Sequence, residues 1–270
     1  MATTTFPAVV AVPRRSLSRT LALYAKEAKY ELINKIRIPV YAISTVVFPL
    51  MFYVLFGIVL GNAHDRKDNA TYMLATMGCF GVIAVALFGF GVSLAMERGQ
   101  GWLQVKRASP MPVSAYFAAK LFAAVVFSTV IMLLLLAVGI AFGGVRLPFA
   151  TAAKLVGILV AGAIPFSAMG LALGYFAKPN SAPAVVNLIY LPMSFCSGLW
   201  IPLFMLPHGL QVLAKVLPPY HLAQLALNSV GMAMHPTPAW GHVEALLAFT
   251  LLCLGFAAWG YRRDEGKMYG

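Results

Sequence analysis

The sequence predicts an all-α integral membrane protein: six transmembrane helices, an N-terminal amphipathic helix on the cytoplasmic surface, and an outer re-entrant helical hairpin between the fifth and sixth spans. Three observations carry that expectation. Hydrophobic residues make up 61% of the 270 and charged residues only 10%, against roughly 45–50% and about 25% in ordinary globular chains. The mean hydropathy of +0.83 agrees, and a soluble fold of this size could not hide so much apolar surface. The apolar residues also gather into runs that match the roughly 20 residues a helix needs to cross about 30 Å of hydrocarbon. Finally, the basic residues behind the net charge of +12 collect between particular runs. A soluble enzyme and a disordered chain are both excluded.

Residues 1–15 read as a disordered tail. Its apolar patch, 6–13, is short and precedes the basic residues, the reverse of a secretory signal. The first span is therefore expected to act as its own uncleaved insertion signal. Over 16–37, Leu17, Leu21, Tyr24, Ala28, Leu32 and Ile36 recur at spacings of three and four. Lys26, Glu27, Lys29, Glu31 and Lys35 cover the other face, with Glu31 and Lys35 set for an i,i+4 pair. Such a helix belongs in a membrane surface, either as an anchor for anionic lipid or as a surface that a cytoplasmic partner touches.

The spans are 39–60, 71–96, 121–145, 155–177, 184–206 and 245–261, the last being the shortest. All should be helical, since open strands would leave backbone groups unpaired in lipid. Residues 220–234 are apolar too, but this 15-residue length between prolines suits a re-entrant helix. With a second short helix at 209–217 it forms the expected hairpin, 207–235, because the six prolines between Trp200 and His242 forbid a continuous helix. The whole of 16–261 is then one membrane domain. Six spans put both basic termini, including the 262–270 tail, on one side. Taking that side as cytoplasm leaves only Arg66, Lys67, Arg146, Lys154 and Lys215 outside and fifteen of the twenty Lys and Arg inside, as the positive-inside rule requires.

Several functions lack their chemistry here. No basic stripe interleaved with aromatics marks a nucleic-acid surface. Cys79, Cys196 and Cys253 are odd in number, sit in apolar runs and form no CxxC, so neither a disulfide frame nor a zinc site is expected. The five histidines, His64, His208, His221, His235 and His242, all fall on the outer side without close ligand spacing, and no metal is expected. No HExxH, GxSxG or paired-carboxylate arrangement supports catalysis, and no GxxxxGK[ST] loop supports nucleotide binding. All eight acids lie outside the hydrocarbon or at its edge, and no Lys or Arg is central. Ion-coupled transport therefore lacks its titrating group. The pairs Gly57/Gly61, Gly139/Gly143 and Gly170/Gly174 have the spacing that lets helices approach closely, and are expected to pack spans within the chain.

The longest cytoplasmic connection, 97–120, is too apolar to be a plain connector. Trp102, Leu103, Val105 and Met111 sit among its charges, and a short helix over 101–107, ended by Ser109 and Pro110, would present Trp102 and Leu103 beside them. A protein-docking element fits that pattern.

At this loop the sequence resembles a known family. Glu97–Arg98, Gly101, Leu103, Pro110–Met111 and Lys120 are similar to the ER-x-x-G-x-L…P-[LM]…GK pattern of type-2 ABC transporter permeases. Ser197-Gly198-Leu199-Trp200-Ile201-Pro202, then Leu206-Pro207 and Leu217-Pro218-Pro219-Tyr220, resemble that family's fifth span and outer hairpin. The order of elements matches over nearly the whole chain. Two positions depart: Trp102 stands where many members carry a small hydroxyl residue, and Ala119 where Gly precedes the Lys.

The resemblance implies the permease subunit of an ATP-driven ABC exporter in a bacterial cytoplasmic membrane, moving a hydrophobic or amphipathic substrate (drug, antibiotic, lipid or lipid-linked glycan) outward. It implies a homodimer, or a heterodimer with a related permease, embedded in membrane lipid and paired with two cytoplasmic ABC ATPase subunits that bind the ATP and Mg. This chain would hold no cofactor and catalyse nothing itself. Glu97, Arg98, Gly101, Trp102 and Leu103 would couple it to the ATPase, and Phe52, Phe56, Phe88, Asn187, Tyr190 and Phe195 would line the pathway. An ion-coupled secondary transporter and a non-transporting assembly scaffold are the competing readings.

Overall fold

The computed structural model describes residues 17–61, 66–108, 111–233 and 238–266; the expected 1–15 tail, His64, His235 and the last four residues lie outside that set. Among the described residues every regular element is a helix. The first, α1 (Leu17–Ile36), leads into α2 (Pro39–Phe52), which opens on a proline whose missing N–H is no loss in the first turn. The chain continues through a π-helical turn, Tyr53–Val59.

Next, α3 (Arg66–Ala86) is apolar on every side, and sixteen of its 21 residues are buried. A helix without a polar face has to be surrounded. Accordingly α3 lies at the centre of the bundle, packed against α2 and against the later helices Val113–Phe142, Phe149–Ala161, Ala163–Phe176 and Pro218–Ser229. A second π-helical turn, Leu87–Val92, carries it into α4 (Ser93–Gly99). The short α5 (Trp102–Ala108) starts after Gly101, whose φ of +76° is a left-handed conformation that glycine adopts without strain.

The remaining helices are α6 (Val113–Phe142), α7 (Phe149–Ala161), α8 (Ala163–Phe176), α9 (Ala182–Cys196), α10 (His208–Ala214), α11 (Pro218–Ser229) and α12 (Ala239–Gly266). Glycine sets the crossing of α8 over the second π turn. A Cβ on Gly170 would stand 2.9 Å from the Ala86 carbonyl oxygen, and one on Gly91 would stand 2.9 Å from that of Gly170. Backbone meets backbone there, so the expected packing role of Gly170 within the chain holds.

Five stretches are long and apolar enough to cross a membrane: Tyr41–Val59, Arg66–Gly99, Val113–Phe142, Phe149–Phe176 and Ala239–Asp264. They correspond to the first four expected spans and the sixth. The expected span 184–206 is different. Its helix, α9, has 15 residues, about 22 Å of rise. The backbone then turns at Gly198 (φ +77°) and reaches a 3-10 turn at Leu203–Met205. Pro202 and a left-handed glycine stop the helix although the apolar run continues. The last span corrects the expectation the other way. It is not the shortest but a 28-residue helix that takes in Trp240, His242 and Glu244, because polar residues mark where a helix leaves hydrocarbon rather than where it ends. Likewise the 97–120 connection shrinks to 100–112, with Tyr116 and Lys120 already inside α6.

Two ends of the bundle can be distinguished. At one, α1, α4, α5 and the start of α6 meet the end of α12, through Tyr24–Ser114 (2.6 Å between hydroxyls) and Arg98–Asp264 (3.8 Å). At the other end, the 207–235 segment contains two short helices, α10 and α11. Leu222, Ala223, Ala226 and Leu227 bury α11 against α3, α7 and α12. The Cys79 thiol reaches the Pro219 carbonyl at 3.8 Å, and Cys79 lies about 20 Å along α3 from Arg66, so α11 sits deep beside α3.

Candidate functional site

The charged residues of α1 do not share one solvated face: Lys26 and Lys29 are exposed, whereas Glu31 and Lys35 turn inward. Glu31 and Lys35 make the expected i,i+4 pair at 3.3 Å, but they are 7% and 4% exposed and point at the bundle, while Leu17, Leu21 and Ile36 of the apolar stripe face outward. The reason is a partner 89 residues away. Lys120, on α6, is only 1% exposed. Its ammonium has three hydrogens, and it donates to Glu31 Oε1 (3.1 Å), Glu97 Oε1 (2.6 Å) and Ser93 Oγ (2.7 Å). Ser93 in turn donates to Glu97 Oε1 at 2.8 Å, and the Tyr116 hydroxyl donates to Glu97 Oε2 at 2.7 Å. A chain of alternating charge, Lys35–Glu31–Lys120–Glu97, thus ties α1 to α6 and α4. Each member is paired, as buried charges have to be. Burial alone would raise the Glu31 carboxyl; Lys120 and Lys35 outweigh it and hold the group below its ordinary value.

Lys35 adds a contact of a different kind. Its ammonium donates to the Gly89 carbonyl at 2.6 Å, inside the second π turn, where the i→i+4 ladder is interrupted and carbonyls need other donors. Beside it lies a cavity of about 550 Å³. Ile38, Tyr41, Phe88, Val92 and Met96 form its apolar side, and Glu31, Lys35, Glu97 and Lys106 its charged side. The buried Tyr41 hydroxyl has no hydrogen-bond partner.

Of the residues expected to couple the chain to an ATPase, Glu97 turns inward into the network just described. Arg98 turns inward too: its guanidinium donates to the carbonyls of Tyr175 and, at 3.0 Å, Ala177, neutralising the carbonyl end of α8. Gly101 supplies the left-handed turn into α5. Leu103 is buried. Trp102 stands out at 54% exposed, with Val105, three residues on, on the same open face. Lys106 anchors α5 from behind, bonding Glu27 of α1 at 2.6 Å and lying 4.4 Å from the Tyr116 ring centroid.

The expected pathway residues divide in two. Phe52, Phe56, Phe88 and Tyr190 belong to one aromatic cluster, with Phe52–Phe56 at 6.1 Å and Phe88–Tyr190 at 6.3 Å between centroids. Phe80 and Trp200, which were not among the expected pathway residues, extend it. Trp200 is 4.9 Å from Phe52, Phe80 is 4.8 Å from Tyr190, and the Tyr190 hydroxyl donates to the Phe80 carbonyl at 2.8 Å. Asn187 and Phe195 instead face outward on α9. Phe88 alone of the six borders the cavity.

Lys120 was legible only as a topology marker, though it closes the quoted pattern. The signals for its role were Ser93–Glu97 and Tyr116–Lys120, two polar pairs at i,i+4 spacing at facing span ends. At the opposite end, His221 and His242 bring their Nδ1 atoms to 2.9 Å. No group of three or more His, Cys, Asp or Glu that could hold a metal occurs among the described residues.

Residues 27–230 match the sequence model of the ABC-2 type transporter family, from the inward-facing part of α1 through α11. The chain is also 25% identical over 242 residues to a Bacillus subtilis (strain 168) protein that carries the name transport permease YvfS, covering 89% of this chain and 97% of that one. With the second half of α1, the Glu97–Arg98 span end, α5, Lys120, α10 and α11 all inside a match that covers more than half of its length, the chain belongs to the ABC-2 type transporter family and is the membrane permease of an ABC transporter.

Proposed function

We propose that this permease works as an exporter, carrying a hydrophobic or amphipathic molecule outward with ATP hydrolysed by two copies of a separate cytoplasmic ABC subunit. The observation that carries the reading is α5. It offers Trp102 and Val105 to solvent while its other side is fixed by buried Leu103 and by Lys106 on Glu27. A partner that pushes on Trp102 pushes on α1 through Glu27, and on α4 and α6 through the Glu31–Lys120–Glu97 chain. The end bearing α1 and α5 is cytoplasmic on this reading, which keeps the basic residues inside. Both termini are then cytoplasmic, α9 with the turn after it completes a sixth crossing, and α10–α11 is the outer re-entrant hairpin. Asn187 supports a second permease copy: an outward-facing amide on a membrane-embedded helix finds no partner in lipid. This chain binds no nucleotide or metal and supplies the path.

The test is coexpression with the ATPase subunit and reconstitution in nanodiscs of wild type and Trp102→Ala. Trp102→Ala should cut coupled ATP hydrolysis by about tenfold or more, a contact worth ~1.4 kcal/mol, while thermal stability is unchanged. A wild-type chain that purifies folded, alone and without ATPase activity sinks the reading in favour of a scaffold or a secondary transporter.

A further inference from the structure

The cavity beside Lys35 pairs an apolar wall with a charge-balanced one. At about 550 Å³ it falls within the roughly 300–1,000 Å³ of small-molecule sites. It lies against α1, whose outward face carries Leu17, Leu21, Tyr30 and Ile36 at 58–80% exposure, so on the export reading it sits at the level of the inner leaflet. One side is apolar. The other carries two carboxylates, Glu31 and Glu97, and two ammonium groups, Lys35 and Lys106. Those charges cancel, and the groups behind them, Lys120 and Glu27, cancel as well. Tyr41 is part of the wall, and its hydroxyl is buried behind it without a hydrogen-bond partner.

We propose that this cavity receives amphiphiles from the inner leaflet and admits those of zero net charge, neutral or zwitterionic, in preference to cations and anions. A net charge brought into a half-enclosed site loses hydration, and a balanced wall returns no net attraction to offset the loss. A head that carries both signs, or only dipoles, meets Lys35 and Glu97 at once, while its apolar body lies along Phe88, Val92 and Met96. The proposal rests on the export reading for which side is cytoplasmic, and otherwise only on the cavity.

The experiment uses the permease–ATPase complex in nanodiscs and three photo-crosslinking probes that share one diazirine-bearing acyl chain. Their heads are phosphocholine, a phosphate monoester and trimethylammonium. Mass spectrometry should locate the phosphocholine probe on residues 38–41 and 88–96 about fivefold or more above either charged probe. Lys35→Met should shift preference towards trimethylammonium, and Glu31→Gln towards phosphate. If either variant fails to fold, Lys106→Gln, at the rim, gives the Lys35→Met direction in smaller size. Equal labelling by all three probes, or labelling confined to outward residues such as Leu251, overturns the proposal. Added MgATP separates the two ideas: labelling that falls on turnover supports cargo, whereas selective labelling that holds steady upholds the charge rule and overturns export.

Discussion

The two ends of this bundle attach peripheral helices to the same core with opposite chemistry. At the α1 end, four ionised side chains share partners, so that no single helix can leave without stranding a buried charge. At the α10–α11 end, attachment comes from apolar contacts of Leu222, Ala226 and Leu227 and one imidazole pair. Apolar packing is non-directional and tolerates sliding, whereas hydrogen-bonded charges fix position and break all at once. A part that must pass on a push benefits from the first kind of attachment, and a part that must shift beside its neighbours benefits from the second.

The sharpest way to break the comparison is Lys120→Met. It leaves Glu31 and Glu97 facing each other without their shared cation, and removing one partner of a buried pair typically costs about 3–5 kcal/mol. We expect a large drop in thermal stability, read by size-exclusion chromatography of heated, detergent-solubilised protein. Adding Glu97→Gln should recover part of it. Equal stability of Lys120→Met and wild type would mean that the network is solvated and that the contrast between the ends is false.

Arg98→Gln comes next. It removes the guanidinium from the carbonyls of Tyr175 and Ala177 and from Asp264. Charged hydrogen bonds of this kind contribute roughly 1.5–3 kcal/mol, so a smaller drop is expected in the same assay. At the other end, His221→Phe deletes a neutral hydrogen bond while keeping a ring, and should cost only about 1 kcal/mol. A His221→Phe/His242→Phe double variant should cost little more than either single change, because the orphaned partner goes too. If His221→Phe proves as damaging as Lys120→Met, the hairpin end is held as firmly as the α1 end.

The contrast also explains what the sequence disclosed. Spans were legible because length and apolarity are properties of a segment by itself, and α5 was legible because Gly101, Trp102 and Pro110 punctuate it locally. The ion network was not. Periodicity assigns Glu27, Glu31 and Lys35 to a polar face, and a polar face is read as solvated unless its partner is known; here the partner is 89 residues away. Glu97 could be singled out from its motif, but not the inward direction in which it points. Nor could sequence reveal the end of α9, since the apolar run continues past the point where Gly198 turns the backbone, or the two π turns, which leave no periodic mark.

The smallest effect concerns pH and refines the picture at one residue. Burial pushes the Lys35 ammonium down to about 8, with Lys120 adding to the shift and Glu31 opposing it. An unfolded lysine holds its proton to about 10.4. Between those values the unfolded chain binds the proton that the folded chain has released. Stability from this group therefore rises with pH across that window and is lowest below pH 8, where Lys35 is charged in both states. Glu31, held low by its lysines, has a slope of the same sign in a different window: it contributes stability that is lost as pH falls through the acid range. Melting temperatures of wild type and Lys35→Met between pH 7 and 10.5 isolate the effect. The difference between the two should drift in wild type's favour as pH increases. A drift the other way would mean that Lys35 is stabilised by its carboxylate more than it is penalised by burial, and that the α1 end is held by attraction at every member rather than by Lys120 at its centre.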